Sequence, residues 1–210
     1  MIVSLRHRYI FVHIPKTGGT SFAAALERRV GPADILIGDT PKARQRAHRV
    51  SALSAQGRLW KHSRLSDIEG MPEATPVSDF FVVTLTRNPW TRVLSLYHWL
   101  RAQNFDHPAV PLARALGFRD FLGHETIAAM LSTDTVAAYV GERADAVIRI
   151  EHVAADAGLF EAHLGHRLPP LPHLNRSDRP SDVRAAYDAG SAYRVADWFA
   201  ADIARFGYDL

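Results

Sequence analysis

The sequence predicts a three-layer α/β/α domain around a central parallel sheet, and three observations predict it. Tyr9-Ile10-Phe11-Val12-His13-Ile14 is a short apolar run rich in aromatic and β-branched residues, the pattern of a strand buried on both faces. Phe80-Phe81-Val82-Val83-Thr84-Leu85-Thr86 repeats that pattern. Each run ends in a sharp break, at Pro15-Lys16-Thr17-Gly18-Gly19 and at Arg87-Asn88-Pro89, and helical spacing follows each break. Strand, helix, strand, helix in this order is the signature of parallel strands joined by crossover helices. Ligands of such sheets bind at the carboxyl ends of the strands, the edge predicted for both breaks.

In chain order, the first strand covers residues 9–14. A helix is predicted from Thr20 or Ser21, with Phe22, Leu26 and Val30 on one side. Residues 42–57 read as a polar, basic helix, residues 59–62 as a short strand and residues 63–70 as helical. The second core strand covers residues 80–86. Asn88 is then a side-chain cap and Pro89 the first helical residue, whose missing N–H costs nothing there. Trp90, Val93, Leu94 and Tyr97 fall at i, i+3, i+4 and i+7, and Leu96 and Leu100 make the far side apolar too, so this helix is predicted to be buried. One or two short helices are expected around residues 112–116 and 118–122. Residues 146–150 read as a third core strand, followed by a helix over 153–165. Residues 168–180 hold four prolines and read as a loop. Val195, Phe199 and Ile203 predict a terminal helix.

Composition narrows the function. The 210 residues suffice for a single domain, 1–210, with a sizeable core. Hydrophobic residues make up 47% and charged residues 22%, ordinary for a soluble globular chain. With no cysteine, disulfides, thiolate-bound zinc and a cysteine nucleophile are excluded. A net charge of +3 with no basic tract suits a small anionic ligand and gives no support to a nucleic-acid role. No apolar run is long enough to span a membrane. The stretch after Met1 is too short for a secretion signal, so a cytoplasmic location is expected.

Two segments carry the chemistry. In Pro15-Lys16-Thr17-Gly18-Gly19-Thr20-Ser21, two glycines let a backbone close on a ligand and turn successive N–H groups inward. The helix that follows offers unsatisfied N–H groups and its positive dipole end. Lys16 adds a charge, and Thr17, Thr20 and Ser21 add hydroxyls. An ordinary strand-to-helix turn with an incidental lysine has the same composition. The order of a Walker A loop is absent, because here the lysine precedes the glycines. In the second segment Arg87 leaves a core strand and Ser95 lies two turns into the next helix, a fork and a hydroxyl suited to a phosphate dianion. Arg87 could equally pair with an acid. Arg92, between them, reads as a solvated helix residue.

Taken together, the two segments resemble the cofactor motifs of the PAPS-dependent sulfotransferase superfamily. His13-Ile14-Pro15-Lys16-Thr17-Gly18-Gly19-Thr20-Ser21 resembles its 5′-phosphosulfate loop. Thr86-Arg87-Asn88-Pro89-Trp90-Thr91-Arg92-Val93-Leu94-Ser95-Leu96-Tyr97 resembles its 3′-phosphate motif. The wording is nearest the carbohydrate-modifying branch, which includes the heparan 2-O and chondroitin enzymes and bacterial relatives. Val147-Ile148-Arg149-Ile150-Glu151, Pro172-His173-Leu174-Asn175-Arg176-Ser177 and Phe206-Gly207-Tyr208 extend the likeness over nearly the whole chain.

The resemblance implies a P-loop-like fold and a co-substrate, 3′-phosphoadenosine 5′-phosphosulfate (PAPS). It implies that Lys16, Thr17, Gly18, Gly19, Thr20 and Ser21 bind the 5′-phosphosulfate and that Arg87 and Ser95 bind the 3′-phosphate. The loop carrying Arg176 would close over the nucleotide. Sulfuryl transfer to a hydroxyl, expected on a carbohydrate, needs a general base. His62 stands between the two motifs, where carbohydrate-modifying relatives keep a catalytic histidine. No metal is expected, since no acidic residue ends the strand over 80–86. Unlike the Golgi enzymes, the chain has no cysteine, and no membrane anchor is expected, so their acceptors and compartment do not carry over. A nucleotide-dependent kinase would share the architecture but calls for the Walker A order and a metal-binding aspartate. A non-catalytic nucleotide-binding relative would keep the ligand without turnover.

Overall fold

The structure is a computed structural model and describes residues 1–172 and 182–210. The chain separates into two compact units. The first comprises Met1–Thr86 and the segment that begins at Val136; the second is built from Arg87–Thr135 and the C-terminal helices.

The first unit is organised by a five-stranded sheet. Its strands are β1 (Ile2–Ser4), β2 (Tyr9–Val12), β3 (Ile35–Leu36), β4 (Phe81–Thr86) and β5 (Ala146–Arg149), in the order β3-β1-β2-β4-β5. The sheet is mixed. β2, β4 and β5 run parallel, with Phe11 opposite Val83 and Val83 opposite Ala146. β1 is antiparallel to both β2 and β3. The predicted parallel sheet is therefore the three-stranded centre, and the other side of β2 is closed by a hairpin. Because β1 reverses direction twice over, β3 points the same way as β2. The carboxyl ends of β2, β3 and β4 all lie on one edge.

Helices α1 (Gly19–Leu26), α2 (Pro41–Gln45), α3 (Ala47–Val50), α8 (Val136–Val140), α9 (Val153–Asp156) and α10 (Gly158–Leu164) belong to this unit. Phe22 and Leu26 of α1 and Phe160 of α10 are buried against Tyr9, Phe11, Val83 and Leu85. The rings of Phe11 and Phe22 lie 5.0 Å apart, and Tyr9 meets Phe160 edge-on at 5.2 Å. Each such side chain contributes about 1.5–3 kcal/mol by leaving water. The alternate residues Ile10, Val12, Val82 and Thr84 are also fully buried, and α8 packs against β4. Burial on both faces is why these strands read as continuous apolar runs rather than alternating ones.

The second unit contains α4 (Pro89–Arg101), α5 (Ala109–Ala115), α6 (Phe118–Gly123), α7 (Glu125–Ser132), α11 (Ala189–Trp198) and α12 (Ala200–Phe206). α4 starts as predicted: the Asn88 side chain accepts the Thr91 N–H and Pro89 is the first residue. Trp90, Val93, Tyr97 and Leu100 are buried in one cluster with Phe121, Leu131 and Val195. Polar ties lock α4 to the C-terminal segment. The Trp90 indole donates to the Ala192 carbonyl at 3.0 Å, and the Tyr187 hydroxyl donates to the Trp90 carbonyl at 2.7 Å.

Several expectations are corrected. Residues 59–62 form a turn, not a strand. There the Ser63 hydroxyl accepts from the Trp60 N–H and donates to nearby carbonyls, meeting locally the hydrogen bonds that a strand would meet across a ladder. The helix expected over 42–57 is two short pieces, α2 and α3, and ends at Val50. Within residues 63–70 only Ser66–Ile68 forms a helical turn, of the tighter 3₁₀ type. The helix over 153–165 divides into α9 and α10, and the terminal helix divides at Phe199 into α11 and α12. β1 and β3 are too short to carry a period and were not foreseen. Among the described residues no helix is long and apolar enough to cross a membrane.

Candidate active site

The loop after β2 is held in a conformation that ordinary side chains rarely adopt. Lys16 has φ of 62° and Gly18 φ of 86°, both left-handed. For a non-glycine residue that geometry costs energy, and it persists where the surroundings impose it. Two left-handed residues so close together curl the backbone into a concave turn, the kind that gathers N–H groups around an anion. Gly18 is the N-cap of α1 and brings no capping side chain. The Ser21 and Phe22 N–H groups turn back to the Gly18 carbonyl. The Thr17 hydroxyl donates to the Ile14 carbonyl at 2.9 Å and is buried, so this side chain braces the loop. Lys16, Thr20 and Ser21 are half-buried at its surface.

The second glycine is required by packing. A Cβ on Gly19 would lie 2.1 Å from Cδ2 of His13, and one on Gly18 would lie 2.8 Å from the Ile150 side chain. His13 is only 6% exposed and stacks on Phe11, so its ring has nowhere to retreat. We expect Gly19→Ala to cost about 1–3 kcal/mol by overpacking and to lower Tm by several degrees. Thermal denaturation of the variant checks this; an unchanged Tm would show that the ring yields freely.

His62 is joined to the loop through His13. The two rings meet edge-to-face with centroids 4.6 Å apart, and Nδ1 of His62 lies 2.8 Å from the His13 carbonyl oxygen. A carbonyl oxygen only accepts, so Nδ1 carries the hydrogen. In the neutral ring, Nε2 then keeps its lone pair. Burial pushes the His62 imidazole down to about 4, against a smaller upward pull from its bond to the His13 carbonyl. Burial also holds His13 well below the usual histidine range, helped by the neighbouring His62. Both rings are therefore neutral near pH 7. Trp60 meets His62 edge-on at 5.1 Å and is 42% exposed.

Lys61 pairs with Asp39 at 2.6 Å. Burial opposes ionisation of Asp39, but the Lys61 ammonium outweighs it and holds the carboxyl below its usual range. Asp39 follows β3 on the same carboxyl edge. There the Thr40 hydroxyl donates to Glu27 at 2.7 Å, tying the segment to the end of α1. A cavity of about 820 Å³ opens beside it, lined among others by Leu36, Asp39, Ala47, Leu53, Trp60 and Lys61.

Arg87 is the first residue beyond β4 and is half-buried. Ser95 is buried on α4, only 3% exposed. Arg92 is not the solvated residue its place on a helix suggests. It is 5% exposed, pairs with Asp134 at 2.6 Å, donates to the Asp134 carbonyl and covers the Phe199 ring. Arg149 takes Asp156 as a two-pronged partner at 2.7 and 2.8 Å. Arg176 lies outside the described residues. Among the described residues no group of three or more His, Asp or Glu side chains is placed to hold a metal ion.

The family model for the Sulfotransferase family matches residues 1–135, a span that contains the strained loop, His62, Arg87 and Ser95. The chain belongs to the sulfotransferase family. Among solved structures, this sulfotransferase is similar to mouse sulfotransferase SULT7A1 complexed with PAP. The TM-score is 0.50 and the identity 13%, and the likeness covers 97% of this chain and 86% of the mouse one. At that identity the likeness speaks for the fold alone. No curated protein matches the chain. What sequence reading of this sulfotransferase missed was the bridge between the loop and His62. His13 reads as a strand residue, and only its contact with a glycine two turns of chain later reveals its part.

Proposed function

We propose that this sulfotransferase transfers a sulfuryl group from PAPS to a hydroxyl of a carbohydrate acceptor, with residues 1–210 acting as one catalytic domain. The observation that carries this reading is the loop at residues 15–21. It combines an uncapped helix start, two left-handed residues and a lysine, and it lies two ring contacts from a histidine with a free Nε2 lone pair. The mouse protein that shares the fold was solved with PAP, the nucleotide left when PAPS gives up its sulfuryl group.

In this reading Lys16 and the N–H groups of residues 17–20 receive the 5′-phosphosulfate, and Thr20 and Ser21 add hydroxyl donors. Thr17 contributes through its backbone, since its hydroxyl is engaged within the loop. Arg87 and Ser95 hold the 3′-phosphate, and Arg176 contributes to nucleotide binding. PAPS supplies a sulfuryl group activated by a phosphate leaving group. Nε2 of His62 takes the proton of the acceptor hydroxyl as its oxygen bonds to sulfur. The bond from sulfur to the bridging oxygen breaks, and its electron pair stays on the 5′-phosphate, where Lys16 neutralises it.

Calorimetric titration tests the reading without knowledge of the acceptor. Adenosine 3′,5′-bisphosphate binds without magnesium and more tightly than ATP. Arg87→Ala weakens that binding by about 1.5–3 kcal/mol, the worth of a charge-assisted contact, or roughly tenfold to more than a hundredfold in Kd. Equal affinity for ATP, or full affinity in the Arg87 variant, would count against the assignment.

A further inference from the structure

We propose that the cavity beside Trp60 is the acceptor site and that it takes an electrically neutral glycoside with an apolar aglycone, not a polyanionic sugar chain. This rests on the sulfuryl-transfer reading above and adds the class of acceptor.

Position is the first support. Val12, Leu36 and Thr86 end parallel strands on one edge, so the segment through Asp39 leaves the sheet beside the strained loop. A water-sized recess lined by His13 and Thr20 shares Gly38, Asp39 and Ala43 with the large cavity. A row of contacts also runs from Gly19 to the His13 ring, from His13 to His62 and from His62 to Trp60, which lines the cavity wall. His62 is one ring contact beyond the lining, and in this proposal the acceptor hydroxyl reaches it past Trp60.

Chemistry is the second. Among the described residues that line it, the cavity has a single cation, Lys61, and Asp39 on the same wall neutralises it at 2.6 Å. The described lining itself offers a sulfated or uronic acid chain no net positive charge. An indole that is 42% exposed is instead a surface for the C–H face of a neutral sugar ring. Arg58 covers one face of that indole at 5.5 Å but is not part of the cavity lining. The lining also includes Val50, Leu53, Ala55 and Leu59, which suit an alkyl or aryl group. About 820 Å³ accommodates a sugar with such a tail.

The test compares octyl glucoside with desulfated heparan on the wild-type chain and on Trp60→Ala. Binding is followed by saturation-transfer NMR, turnover by release of adenosine 3′,5′-bisphosphate from PAPS, and donor affinity separately by calorimetry. We expect octyl glucoside to bind and be turned over in preference to heparan. In Trp60→Ala its Kd and KM rise at least tenfold while adenosine 3′,5′-bisphosphate binds as before. Ala47→Phe, which narrows the cavity at another residue of its lining, gives the same split. Preference for heparan, or octyl glucoside binding unchanged in both variants, would overturn the proposal. If adenosine 3′,5′-bisphosphate fails to bind the wild type, the sulfuryl-transfer reading falls, while the NMR titrations still decide whether the cavity holds a neutral glycoside.

Discussion

Replacing Lys16 with alanine lowers turnover by roughly 10²–10³-fold, the usual effect of removing one preorganised donor from the place where charge develops. The backbone holds this lysine at a cost. Its φ of 62° is a conformation that a side chain adopts only under constraint. The charge and the strain can be separated by a second substitution. Lys16→Gly relieves the backbone, so it holds or raises Tm, yet it loses turnover to the same degree as Lys16→Ala. Activity retained in either variant would remove Lys16 from the reaction. A large fall in Tm in both would mean that the side chain serves the fold.

His62→Ala should cost about 10²–10⁴-fold in kcat, the range for losing a positioned base, while adenosine 3′,5′-bisphosphate binds as in the wild type. Near-normal turnover would exclude His62 as the base. The pH profile gives an independent reading. Burial takes the imidazole down to about 4, so the neutral, proton-accepting form persists well below pH 6.5. The acid limb of kcat/KM for the wild type should fall near pH 4 rather than near neutrality. The same shift has a signed effect on stability. Below about pH 6.5 the unfolded chain protonates this histidine and the folded chain does not, so stability falls as the pH drops toward 4. The loss is on the order of 3 kcal/mol for His62 at the foot of that range. His13, held neutral for the same reason, adds to it. Denaturant titrations between pH 7.5 and 4.5 measure this directly, and a flat profile would mean that neither ring is as buried as the structure has it.

The centre of the fold was legible because its residues signal locally. Tyr9 to Val12 and Phe81 to Thr86 are covered on both faces and so read as unbroken apolar runs. Asn88 and Pro89 announce a helix start by their own chemistry. The edges were not legible. Three residues in β1 and two in β3 cannot show a period, and their pairing depends on partners far along the chain. Leu59 and Trp60 have the composition of a strand, but Ser63 closes a turn over them. At the site, Lys16, Gly18 and Gly19 could be picked out from residue types alone. The reason for Gly19 could not, because it lies in the ring of His13 packed above it. Arg92 shows the opposite failure: helical position suggested solvent, and Asp134, 42 positions away, makes it a buried ion pair.

The central claim is that the loop at residues 16–21 and the Arg87–Ser95 segment serve one nucleotide. A crystal structure of the chain with adenosine 3′,5′-bisphosphate tests it most directly. The account predicts the 5′-phosphate on the N–H groups of residues 17–20 beside Lys16, and the 3′-phosphate on the Arg87 guanidinium and the Ser95 hydroxyl. A nucleotide bound with either phosphate away from its segment would contradict it.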